Sequence, residues 1–202
     1  MKARDWHRFL EDQRRQHGKV LFAVTELAHI ANTSRVALNV ELTRLRRQGV
    51  LVRYAHGQYG LPDAVVPELL LPAMDSHAYI TGSYALYVHN LITQAPTRIT
   101  CFTDRRSPRA RVRNTPVGRF VFVCVRSRVY MPPSAGVLAA PEQALYDFIY
   151  ILRRQGLAIQ GQVTFRNLEK LKRTECLRIG AHYPATVRTE VGVLTAPKRG
   201  AA

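Results

Sequence analysis

An α+β fold is predicted, and three observations predict it. Residues 25–61 set two helical patterns before two β-rich runs. Residues 98–130 carry a second β pattern, and from Pro141 an i, i+3, i+4, i+7 apolar stripe marks another helix. The order places one small domain at 1–62, a linking segment at 63–75 and a mixed α/β C-terminal domain at 76–202.

The segment TELAHIANTSRVALNVELTRLRRQGVLVRYAHGQYGL (25–61) is the most informative. Thr25 is expected to cap a short helix from Glu26 to about Ala31, its hydroxyl accepting a first-turn N–H. Asn32, Thr33 and Ser34 break the chain and offer a second cap. A longer helix over 35–48 follows, with Leu38, Leu42 and Leu45 as its apolar stripe and Gly49 ending it. Runs at 50–54 and 58–61 are joined by Ala55-His56-Gly57, with glycine where a hairpin needs positive φ. Helix, tight turn, helix, hairpin is the order of a winged helix-turn-helix. Its second helix would enter a DNA major groove and its hairpin would lie along the backbone.

Opposite the leucines, the reading sets Arg35, Asn39, Thr43 and Arg46, with Arg44 and Arg47 beside them. Arginine can pair bidentately with guanine and asparagine with adenine. Ser34, Arg35, Val36 and Asn39 lie near the helix N-terminus, the end that reaches deepest into a groove. Arg44, Arg46 and Arg47 suit phosphates, as do Arg53 and His56 in the hairpin. The competing reading is a solvated basic face on an interaction module.

Composition agrees with a polyanionic partner. The 202 residues carry a net charge of +16, with 47% apolar and 22% charged side chains. That balance favours packed domains over disorder and nucleic acid over membrane. Of the 30 basic residues 25 are arginine; a GC-rich genome gives the same bias, so only the sign of the charge is informative. Cys101, Cys124 and Cys176 are far apart and show no metal spacing, so no metal and no cofactor are expected, only buried or semi-buried thiols in a reducing compartment. The stretch MKARDWHRFLEDQRRQHG carries charge where a signal peptide needs an apolar core. No run reaches the ~18 apolar residues of a membrane span. A cytoplasmic protein is expected.

In chain order, 3–17 reads as a polar helix with Trp6, Phe9 and Leu10 on a small apolar face, and 19–24 as a third strand beside the hairpin. Pro62 and Pro67 bracket the linker, and PELLLPAMD reads as a short helix. Residues 78–81 suggest a strand, followed by a Gly82-Ser83 turn and a helix with Ala85, Leu86, His89 and Leu91 on or near its buried side. Gly-Ser before a helix also opens nucleotidyltransferase sites, but those need two acids about a dozen positions on to hold Mg²⁺. Here Asp104 follows alone, and no nucleophile–base pair or phosphate loop is seen, so an enzyme is not expected.

Nine arginines fall between Arg98 and Arg128 against one acid. Arg109, Arg111 and Arg113 have period two, so one face of a strand or extended loop would carry all three. With Arg105, Arg106 and Arg119 they form a basic patch for DNA backbone or an acidic protein. A strand is expected over 117–125. Pro141-Glu142 opens a helix with Leu145, Phe148, Ile149 and Leu152 as its stripe, and Asp147 among them is expected as a cap or buried hydrogen-bond partner. Short helices are expected at 167–172, 174–182 and 185–193.

The run Leu42, Leu45, Arg46, Gly49, Leu51, Arg53, Gly57, Tyr59, Leu61 resembles the AbiEi-type antitoxins of bacterial type IV toxin–antitoxin systems. YITGSYALYVHNL (79–91) and APEQALYDFI (140–149) resemble that family's second-domain motifs. The resemblance implies a transcriptional autorepressor binding inverted repeats of double-stranded DNA in its own promoter. It implies that the second domain aids repression and counteracts a nucleotidyltransferase-like toxin, functionally rather than as a stable complex. A monomer or weak dimer is expected. The alternative is a protein-interaction module whose basic second domain docks an acidic partner, with DNA binding secondary.

Overall fold

The computed structural model describes residues 2–106 and 110–196. The chain is mixed α and β and divides into two compact units, Met1–Ser76 with Asn114–Gly118, and His77–Arg113 with Arg119–Ala202. The segment 63–75 lies within the first unit.

That unit begins with α1 (Ala3–His17), β1 (Leu21–Ala23), α2 (Val24–Ala31) and α3 (Arg35–Arg47). The strands β2 (Val52–Ala55) and β3 (Gln58–Gly60) and the helix α4 (Pro67–Met74) complete it. The strands make one antiparallel sheet in the order β1-β3-β2, with Leu21 and Val52 both opposite Gly60. Trp6 and Leu10 of α1, Leu27 of α2 and Leu38, Leu42 and Leu45 of α3 close the core, while Phe9 is half-buried against it.

Thr25 is not the cap of α2. The helix starts one residue before it, with Ala23 at the N-cap, and the Ala23 N–H donates to Glu26 Oε2 at 2.9 Å. A glutamate at the third helical position can reach back to the orphan donor, which leaves Thr25 inside the first turn. Glu26 also holds Lys19, Oε1 to Nζ 2.5 Å, and that cation keeps its carboxyl below the usual range. At α3 the cap is Ser34, whose Oγ accepts from the Ala37 N–H at 3.3 Å. The other end closes through Gly49 (φ 70°), with Gly49 N–H to Arg46 O and Val50 N–H to Leu45 O. Only a residue tolerant of that left-handed turn allows both bonds.

In the second unit β4 (Tyr79–Thr81) runs directly into α5 (Gly82–Val88). No Gly-Ser turn separates them, because Gly82, at φ 64°, makes the bend as the helix's first residue. A four-stranded sheet follows the order β4-β5-β7-β6, with β5 (Ile99–Thr103), β6 (Val112–Thr115) and β7 (Gly118–Cys124). β5 pairs antiparallel with β4 and parallel with β7. It is buried along its whole length, as a central strand covered on both faces must be.

Helix α6 (Pro141–Arg154) fills the middle of this unit. It buries ten residues, far more than the expected stripe of four, and three of the ten are Glu142, Gln143 and Asp147. After it come a 3-10 turn (Leu168–Lys170), α7 (Arg173–Gly180) and α8 (Ala185–Thr195). Cys101 and Cys176 are buried but Cys124, at the end of β7, is exposed. Among the described residues no helix is long and apolar enough to cross a membrane, and no three His, Cys, Asp or Glu side chains gather as metal ligands.

Candidate nucleic-acid interface

The leucines of α3 are buried, and Arg35, Val36, Asn39, Val40, Thr43, Arg44, Arg46 and Arg47 are exposed. At about 100° per residue, the row standing opposite the leucines is Val36, Val40, Thr43 and Arg47. Arg35, Asn39 and Arg46 form one flank of that row rather than its centre, a correction to the face assigned from sequence. Val36 is 77% and Val40 71% exposed. Two β-branched side chains one turn apart, out of phase with the core stripe, are the signal that could have singled out Val40. Apolar groups of this kind can meet a thymine methyl.

Arg35, Arg46 and Arg47 make no ion pair among the described residues. Arg44 points to the other flank, where its Nη2 lies 3.3 Å from Glu41 Oε1. Thr43 donates its hydroxyl to Asn39 O at 2.8 Å, leaving its methyl and oxygen lone pairs for a partner. In the hairpin, Arg53 is exposed; its Nε donates to Ala55 O and its Nη2 lies 3.1 Å from His56 Nδ1, which ties both side chains to the turn. A shallow cavity of about 430 Å³, whose lining includes Thr43, Arg46, Arg47, Leu51, Val52 and Arg53, joins the C-terminal half of α3 to β2. The cations of helix and hairpin therefore border one concave surface.

The second basic patch is less coherent than its spacing suggests. Arg105, Arg106, Arg111 and Arg119 are exposed, while Arg109 lies outside the described residues. Arg113 leaves the patch: its guanidinium stacks 4.1 Å over the Phe122 ring and its Nε donates to Ala110 O. A half-buried arginine stem gains more from an aromatic face than from a second cation beside it. Residues 1–76 hold eleven basic and eight acidic side chains and residues 77–202 nineteen and six, so most of the charge excess lies in the second half.

The buried polar group of that half is a separate matter. Asp147 is fully buried and accepts from Thr81 Oγ1 (2.7 Å), Tyr79 OH (3.2 Å) and Tyr183 OH (2.5 Å). Burial pushes its carboxyl up to about 7, outweighing those donors, and burial pushes both phenols up as well, so they stay protonated. Its three donors bind β4, α6 and the segment before α8 together. Asp104, the lone acid of the arginine-rich stretch, faces His77 (Oδ1 to Nδ1 3.6 Å). Neither protein-family models nor curated proteins match the chain.

Proposed function

We propose that this chain is a sequence-specific regulator of transcription that binds double-stranded DNA. In this reading the first unit is a winged helix-turn-helix, with α3 in the major groove and the β2–β3 hairpin along the backbone. The observation that carries it is the exposed face of α3, on which Arg35, Arg46 and Arg47 make no ion pair among the described residues, set over a closed leucine core and bordered by Arg53 of the hairpin. Arg35 and Asn39 read base edges, Val36 and Val40 supply apolar contacts, and Arg46, Arg47 and Arg53 hold phosphates. The exposed arginines of the second unit add backbone contacts. The resemblance to AbiEi-type antitoxins extends the reading to a cytoplasmic autorepressor on inverted repeats that counteracts a nucleotidyltransferase-like toxin.

Selection of bound duplexes from a random pool tests this, with an enriched inverted repeat as the expected result. For six to ten phosphate contacts, affinity should fall roughly 10³–10⁵-fold between about 50 and 200 mM salt. A pool that stays random would sink the proposal. The charge excess of residues 77–202 favours a second reading, an interaction module for an acidic protein. An unenriched pool together with a stoichiometric partner that survives nuclease treatment would choose it.

A further inference from the structure

The second unit contains a cavity of about 580 Å³ between α6, the 3-10 turn, α7 and α8, within the size range of small-molecule sites. Leu168, Leu171 and Val191 make its walls, and Leu177, 70% exposed, stands at its edge. Such a lining suits an apolar body. Three observations give it a polar end. Tyr146 is 5% exposed and lines the cavity, yet its hydroxyl makes no hydrogen bond among the described residues. The hydroxyl oxygen opens on the cavity rather than being sealed in the core, so its proton is available to a ligand. Arg173 and Arg188 also line the cavity and make no ion pair among the described residues, against one acid, Glu169. Burial pushes the Tyr146 phenol up, so it remains a donor, and Arg188 lies close enough for its charge to oppose that shift.

We propose that this cavity binds a small amphipathic monocarboxylate, its chain on the leucine and valine walls and its carboxylate between the Tyr146 hydroxyl and the Arg188 guanidinium. The guanidinium supplies donors only and carries a fixed positive charge, which selects an anion over a neutral group of the same length, and the phenol adds one further donor. Two glycines shape the site. A Cβ at Gly180 would meet the Tyr146 oxygen at 2.6 Å, so the helix can approach the phenol only without a side chain there. A Cβ at Gly192, also on the lining, would meet nothing within 4 Å, so a side chain there extends into open space.

Calorimetric titration of the full chain with octanoate, decanoate and decanol tests the site without any DNA in the readout. Decanoate should bind saturably and raise the melting temperature, and decanol should bind at least tenfold more weakly, on the scale of one charge-assisted hydrogen bond. Gly192→Leu, which replaces a helical glycine without a clash, should fold and abolish binding. Arg188→Gln should weaken decanoate about tenfold and leave decanol unchanged, and Tyr146→Phe should weaken it about fivefold at unchanged stability. No saturable decanoate binding, equal affinity for decanol, or full binding by Gly192→Leu would each overturn the proposal.

Discussion

Helices α3 and α6 are of similar length, 13 and 14 residues, and do opposite things with their polar side chains. α3 buries three leucines, half-buries Glu41 against α1 and turns the rest of its surface outward. α6 buries ten residues, and its two acids and its one amide are used up inside: Glu142 Oε1 accepts from the Lys172 N–H, Gln143 Nε2 donates to Met131 O and Asp147 accepts from three hydroxyls. The difference separates two kinds of charged residue. On α3, Arg35, Arg46 and Arg47 are left over for a partner; on α6, Glu142 and Asp147 organise the surrounding chain.

The largest expected effect tests the α6 side. Asp147 is protonated in both states well below pH 4. As pH rises from there the unfolded chain ionises first, because the folded carboxyl waits until about 7. Stability is therefore lost between about pH 4 and 7, by roughly 4 kcal/mol in all. Asp147→Asn should remove that part of the slope, measured as the difference between the two proteins' urea unfolding curves across this range; parallel curves would show that the buried acid carries no such cost. On α3, Arg35→Ala or Asn39→Ala should cost about 1–3 kcal/mol of discrimination on the selected duplex, whereas Arg47→Ala should weaken all duplexes alike. Equal losses by gel shift on selected and random DNA for Arg35→Ala would contradict the assignment of a base-reading role. Ser34→Ala removes the cap and should cost about 1 kcal/mol of unfolding free energy. Smallest of all, Val40→Ala should change stability by less than about 0.5 kcal/mol while weakening binding to thymine-containing sites. A large loss of stability there would mean that the exposed valines belong to the fold.

The same contrast explains what could be read before any coordinates. Strong periodicity made α1, α3 and α6 legible to within a residue or two, because the leucine spacing and the flanking Ser34, Gly49 and Pro141 are local signals. At α2 both Thr25 and Glu26 can meet a first-turn donor, and only the backbone geometry chooses Glu26. On α3 a polar residue on the flank and one at the centre differ only in their angle to Leu38, Leu42 and Leu45, which 100° per residue resolves and an i, i+4, i+8, i+11 count among the polar residues does not. The donors around Asp147 come from residues 66 to 68 positions before it and 36 after, so no local pattern announces them. Arg113 left the basic patch for a ring supplied by another strand, which spacing alone does not reveal.

One bond on the far side of α3 sets more than its length suggests. Trp6 of α1 donates its Nε1–H to Glu41 Oε1 at 2.9 Å, and Arg44 reaches the same oxygen. Three leucines in a greasy seam could tolerate a small roll of the cylinder; a single oxygen held by an indole resists it. The angular setting of the outward residues is thus fixed by a carboxylate that faces away from them. Exchanging Trp6 or Glu41 would retune what this helix presents without altering any side chain on the presented side.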